Sequence, residues 1–260
     1  MPPATPPRPA VSPADGSVSR DWTLHTLATT PSTNLAARTL APWHAVRSDI
    51  QTGGYGRTGR SWVSDTGGLW LSAVLPCPGP REPWSILPLA AGWAVIKALN
   101  GLHVSGLRLR WPNDILSDQR KLAGLLVERH SADTAIVGIG INIFNSAETA
   151  DPVLHGMTTR LADLIDLGDR TLDDIAHLVL NTLTHAHALL LENQVPRIID
   201  HLNQSWAQPR LVALTLAGQP TACVGRFLGI DHRGRLLLGE RDGTVQTYDA
   251  TRVAHLRELE

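Results

Sequence analysis

Residues 51 to 62, Gln51-Thr-Gly-Gly-Tyr-Gly-Arg-Thr-Gly-Arg-Ser-Trp62, hold four glycines and two arginines in twelve positions. Such a run sustains neither a helix nor an ordinary strand, so any fold the chain adopts must present it as a loop. Glycine lets successive backbone N–H groups face an anion, and Arg57 and Arg60 add fixed charge and forked donors. The run is therefore read as a phosphate-handling loop, with a plain surface turn as the alternative. It lacks the Gly-x-x-x-x-Gly-Lys-Ser/Thr spacing of a P-loop. It also leads into Trp62 and a strand, where a dinucleotide fingerprint would open a helix.

With 260 residues, 43% of them apolar, the chain can bury a core in one substantial domain plus a small one. A net charge of -1 gives no global reason to expect nucleic acid, and no basic patch stands out. Cys77 and Cys223 lie 146 positions apart without neighbours at metal-ligand spacing, so neither zinc nor a disulfide is expected and a reducing cytoplasm is favoured. No apolar run has the length of a membrane span or a secretory signal. Residues 1–20, rich in Pro, Ala and Ser, read as a disordered tail.

Periodicity predicts strands at Trp22 to Leu27, Trp43 to Ser48 and Gly68 to Leu75, so that the loop is held between two strands. Helices are predicted over Ser32 to Leu40, Trp84 to Asn100, Thr171 to Leu191 and Pro196 to Trp206. Pro31 and the cluster Ser32-Thr-Asn34 look like a helix cap. Leu107, Leu109 and Trp111 alternate with Arg108 and Arg110, predicting one apolar and one basic face before Pro112. Buried strands follow at Leu122 to Glu128 and Ala135 to Asn142. After a boundary near Pro209, short strands at Leu211 to Leu216, Ala222 to Ile230, Arg235 to Leu238 and Thr244 to Tyr248 suggest a small β-barrel. The predicted division is 21–208 and 209–260.

Three further stretches accompany the loop: Pro31-Ser-Thr-Asn34, then Arg110-Trp-Pro-Asn-Asp114 continuing to Arg120-Lys-Leu-Ala-Gly124, and Gly138 to Asn142. In order and spacing, from about Thr23 to Asn142, they resemble the catalytic region of biotin protein ligases, and the late barrel resembles that family's final domain. The resemblance implies an α+β fold, a class II synthetase-like mixed sheet flanked by helices, with an SH3-like C-terminal barrel. It implies that biotin and ATP give biotinyl-adenylate, with Mg2+ screening the phosphates, and that the biotinyl group passes to one lysine of a biotin carboxyl carrier protein.

By that resemblance Ser32, Thr33, Asn34 and Gln51 contact the neutral ureido ring, which needs short donors and acceptors at the end of an apolar slot. Gly54, Tyr55, Gly56, Arg57 and Gly124 join the biotin site. Lys121 is the expected cationic bridge between the reacting carboxylate and the α-phosphate. A solvated surface lysine is the alternative, less fitting for one of the few lysines of an arginine-favouring chain. Arg57 and Arg60 would hold phosphates and close the loop over the adenylate. Trp62 reads either as a wall near adenine or as a strand anchor, and Asn113 and Asn142 suit adenine-edge or ribose contacts. Asp114 is either a magnesium ligand or a turn cap.

The loop departs from the commonest family pattern at Tyr55, where arginine is usual, and at Thr58, often basic. Position 55 is expected to act chiefly through its backbone N–H. The roughly 20 residues before the matched region are too few for a helix-turn-helix domain, so DNA binding is not expected. The oligomeric state is open, a homodimer included. A lipoate-type ligase and a non-catalytic biotin-binding module are the competing readings.

Overall fold

A computed structural model describes residues 20–80, 82–145, 147–206, 210–219 and 221–259. The tail up to residue 19 and the boundary placed at 208/209 lie outside the described residues.

The chain begins with strand β1 (Thr23–Thr30), the short helix α1 (Thr33–Ala37) and strand β2 (His44–Gln51). β1 and β2 pair in parallel, which requires a crossover, and α1 supplies it. Then come β3 (Leu69–Pro76), helix α2 (Leu87–Asn100), β4 (Leu107–Arg110), β5 (Asp114–Ser117), β6 (Arg120–Arg129) and β7 (Thr134–Ile141). Together they form a seven-stranded mixed sheet ordered β1-β2-β3-β7-β6-β5-β4, antiparallel beyond β2.

Period-two alternation decides what each face of this sheet does. Leu71, Ala73 and Leu75 of β3, Ala123 and Leu125 of β6, and Val137, Ile139 and Ile141 of β7 point into the main core. Helix α2 and helix α3 (Leu172–Leu191) pack there, α3 opened by a reciprocal cap between Thr171 and Asp174. On the opposite face α1 lies over β2, β3 and β7, and a small cluster of Ala37, Val46, Val74 and Ile136 anchors it. The same face carries Ser72, Gly124, Gly138 and Gly140, residues too small to fill it.

Helix α4 (Val195–Gln204) leads to a five-stranded antiparallel sheet of SH3-like type. Its strands are β8 (Arg210–Leu216), β9 (Ala222–Ile230), β10 (Leu236–Gly239), β11 (Val245–Tyr248) and β12 (Val253–Glu258), ordered β11-β10-β9-β8-β12. The two sheets are fastened by mutual bonds of Asn203 with the backbone of Ile230, at 2.8 and 2.9 Å. Trp206 packs on Phe227 with ring centroids 4.2 Å apart and donates to the Leu109 carbonyl at 2.9 Å.

Two expectations need correction. The face of β4 expected to be basic is neutralised at Arg108: the side chain is 6% exposed, its guanidinium forks onto Glu258 of β12 at 2.7 Å twice, and it lies over Trp206. Ser32 occupies the N-cap position of α1 in extended conformation, yet its side chain makes no cap bond. β12 has no counterpart among the predicted strands.

Candidate active site

Gly138 and Gly140 of β7 and Asn142 just beyond its end lie at every second position, so they mark three stations on one face, about 13 Å from first to last. A cavity of about 290 Å³ runs over them.

At the first station a Cβ on Gly138 would sit 2.3 Å from Asn34 Oδ1, so only glycine lets α1 settle here. Gln51 Oε1 accepts from the Thr33 backbone N–H at 2.8 Å and from the Thr33 hydroxyl at 3.0 Å, while Gln51 Nε2 donates to Ser64 Oγ at 2.8 Å. The Ser72 hydroxyl lies 2.8 Å from Thr33 Oγ1 and 2.6 Å from Asn34 Oδ1. Ser32, Thr33 and Asn34 are all buried, so this end is a dense wall of hydroxyl and amide groups. Asn34 Nδ2 and the Tyr55 hydroxyl both donate to Glu128 Oε2, at 2.6 and 3.0 Å. Burial and the Glu128 carboxylate push the Tyr55 phenol above its ordinary value, so it remains a donor at neutral pH. The side chain of Tyr55 is thus engaged by Glu128, in addition to the backbone N–H through which this position is expected chiefly to act.

At the second station Trp62 lies across two glycines. A Cβ on Gly124 would come within 2.9 Å of its ring and one on Gly140 within 2.8 Å of Nε1. The Trp62 indole N–H is buried without a partner among the described residues. The glycine loop itself folds into a small turn: Tyr55 and Ser61 face each other as a β-bridge, and Gly56 N–H donates to the Arg60 carbonyl at 2.8 Å. Thr58 and Gly59 at its tip have φ of 58° and 73°. Gly54 does not line the cavity. Its Cβ would strike Ser64 Oγ at 2.5 Å, so it serves the neck of the loop.

At the third station Lys121 Nζ is 2.6 Å from Asp114 Oδ1 and 4.7 Å from the centre of the Trp62 ring. Arg110 holds the other Asp114 oxygen at 2.8 Å. Burial alone would push the Asp114 carboxyl up, but Lys121 and Arg110 overcome it and hold the group below the usual carboxylate range. The Lys121 backbone is clamped by Met157 and Thr159 at 2.8 and 3.0 Å, in a segment that no sequence motif marked. Asn142 is buried, donating to the Thr159 carbonyl at 3.2 Å and accepting from Asn145 Nδ2 at 3.1 Å. Asn113 donates to the Leu125 carbonyl at 2.8 Å. Both asparagines line the cavity, but each already carries internal bonds.

Arg57 reaches away from the sheet: its Nη2 donates to the carbonyls of Ala250 and of Val253, the latter at 3.0 Å. Burial holds this guanidinium below its ordinary pKa, with Asp114 opposing and Arg60 reinforcing the shift. Arg60 lies 3.5 Å from His255 Nδ1, and Ala254, His255 and Leu256 of β12 complete the wall. Ser32, Thr33, Asn34, Gln51, Tyr55, Gly56, Arg57, Arg60, Trp62, Asn113, Asp114, Lys121, Gly124 and Asn142 thus border one cavity. Glu128, Ser72 and His255 carry no sequence signal of their own, and Arg110 is marked only as the first residue of a matched stretch. No group of three His, Cys, Asp or Glu that could hold a metal occurs among the described residues.

The sequence profile of the Biotin/lipoate A/B protein ligase family matches residues 30–142. The Mycobacterium tuberculosis protein named biotin--[acetyl-CoA-carboxylase] ligase is 32% identical over 218 residues, covering 81% of this chain and 78% of that protein. The chain belongs to the biotin protein ligase family. Its fold agrees with the biotin protein ligase from Aquifex aeolicus solved in complex with biotin and ATP, at a TM-score of 0.77 and 26% identity, covering 91% of this chain and 99% of that one. The Bacillus subtilis bifunctional ligase/repressor BirA is 30% identical over 213 residues. That match takes in 79% of this chain and 64% of the longer relative, so the ligase-family chain spans less than two thirds of it.

Proposed function

We propose that this chain activates biotin with ATP as biotinyl-5'-AMP and transfers the biotinyl group to a lysine of a biotin carboxyl carrier protein. The observation that carries this reading is a single cavity joining a buried hydroxyl and amide wall to a cationic end that holds Arg57, Arg60, Arg110 and Lys121. The wall suits a neutral ureido ring, and the cations suit a carboxylate meeting a phosphate. Relatives named as biotin ligases support the same substrates.

In the first step a biotin carboxylate oxygen bonds to the α-phosphorus and the bond to pyrophosphate breaks. Lys121, held on its flexible stem by Asp114 and by the face of Trp62, neutralises the two approaching anions and the charge of the pentavalent transition state. Arg60 and Arg57 flank the phosphates, and Arg57 also pins the loop to the barrel so that the mixed anhydride stays covered. The Trp62 ring, with its unpartnered N–H, walls the nucleotide. In the second step the carrier lysine attacks the acyl carbon and AMP leaves, so no further nucleophile is needed from this chain.

Magnesium would supply charge screening on the triphosphate. Both Asp114 oxygens are held by cations, so a lone carboxylate does not make a protein cage here and no step is assigned to the metal. Among the described residues no helix is long and apolar enough to cross a membrane. ATP supply and a carrier protein fit a cytoplasmic setting. Biotin-dependent exchange of labelled pyrophosphate into ATP, followed by labelling of a carrier domain, tests the reading. Exchange driven by lipoate in place of biotin, or biotin binding without exchange, overturns it.

A further inference from the structure

We propose that Glu128 is a positioning residue that couples the ureido-end wall to the glycine loop, with Tyr55 as the loop's half of a latch. This rests on the ligase reading and adds residues to it. Glu128 sits near the end of β6, opposite Ile136 of β7, on the same face as Gly124. One of its oxygens, Oε2, accepts both from Asn34 of the wall and from Tyr55 of the loop. Hydrogen bonds to a carboxylate are stronger than neutral ones, and sharing one atom makes the two contacts report on each other.

The arrangement fixes an orientation as well as a distance. A carboxylate faces only donors, so Glu128 forces the Asn34 amide to present Nδ2 to it and Oδ1 to Ser72. Which edge of Asn34 meets a ligand is thereby set from β6. Tyr55 stands where a charged residue is usual in this loop, and its phenol reaches the same carboxylate without a charge of its own. Arg38 lies 3.8 Å from the other oxygen, Oε1, and keeps the carboxylate neutralised from the outside of α1. Loop closure over the adenylate therefore depends on a group that contacts no reacting atom.

The experiment follows release of biotinyl-AMP from the full chain by mass spectrometry, alongside the biotin KM and the thermal midpoint. Tyr55→Phe is expected to speed release about tenfold while raising the biotin KM less than about threefold, because Asn34 keeps its partner. Glu128→Ala is expected to raise both release and KM about tenfold, since loop and wall are freed together. Combining the two should add nothing to release beyond Glu128→Ala, the signature of one shared contact. Tyr55→Arg, whose fork reaches the same carboxylate, should release the adenylate at least about threefold more slowly than Tyr55→Phe. Additive effects of Tyr55→Phe and Glu128→Ala, or equal release from Tyr55→Phe and the unaltered chain, overturn the latch. A simple loss of fold lowers the thermal midpoint without this pattern and also counts against it. An unaltered chain that makes no adenylate from biotin sinks the ligase reading instead.

Discussion

The two ends of the cavity are built in different ways. The ureido-end wall belongs to one sheet, its first helix and the neck of the glycine loop: Thr33, Asn34, Ser64 and Ser72 are buried, and with the half-buried Gln51 they bond to one another. The cationic end is assembled across two sheets, with Arg57 fastened to barrel carbonyls and Arg60 facing His255 of β12. The first end is finished when the large sheet folds; the second needs the barrel to dock. Selectivity for a neutral ring thus rests on rigid groups, whereas containment of the reactive anhydride rests on a joint.

The contrast can be broken at the joint first. Arg108→Ala would strip the buried Glu258 of its forked partner and leave it only Arg210 at 3.7 Å, at a cost of about 3–5 kcal/mol. Chemical denaturation should report that loss, and adenylate retention should fail while biotin affinity survives in the fraction that stays folded. Lys121→Ala, by comparison, should lower adenylate formation by about 10²–10³-fold, read by pyrophosphate exchange, with biotin affinity by calorimetry changed less than about threefold. If biotin binding collapsed equally, the two ends would not be separable. Arg57→Ala should cost the loop about 1.5–3 kcal/mol of anchoring, seen as biotinyl-AMP escaping and labelling bystander proteins. Gly138→Ala attacks the other end: the new methyl must displace Asn34, destabilising the fold by about 1–3 kcal/mol and weakening biotin more than ATP.

The smallest expected effect is electrostatic. The native Asp114 carboxyl lies below its unfolded value, so the folded state binds fewer protons. Its contribution is present above about pH 4 and is lost as pH falls through the lower native value. Unfolding followed between about pH 5 and 2 should therefore show a shallower acid slope in Asp114→Asn than in the unaltered chain.

Much of the large sheet was legible because β3 alternates and β6 and β7 read as buried apolar runs broken by glycines, and those strands are observed. The loop was legible because its composition excludes regular structure. What escaped notice depended on distant partners. Arg108 looks like a solvated charge until Glu258, 150 positions later, comes beside it. Ser32 looks like a cap, but Tyr55 and the cavity wall claim its neighbourhood. Gly54 joins the ligand contacts only through the family resemblance; in the fold its missing Cβ lets Ser64 and Trp62 approach. The clamp at Met157 and Thr159 and the strand β12 carry no motif, since backbone N–H and carbonyl groups do their work.

β12 supplies Ala254, His255 and Leu256 to the cavity and, with its neighbour Ala250, receives Arg57. A polypeptide emerging from its N-terminus has the glycine loop and Lys121 long before those positions exist. Until they arrive one side of the cleft stands open and its guanidinium lacks a mooring. The ability to keep a reactive intermediate therefore arrives only with β12, and a chain cut before β12 that folds its first sheet is expected to be a leaky catalyst, not merely a slow one.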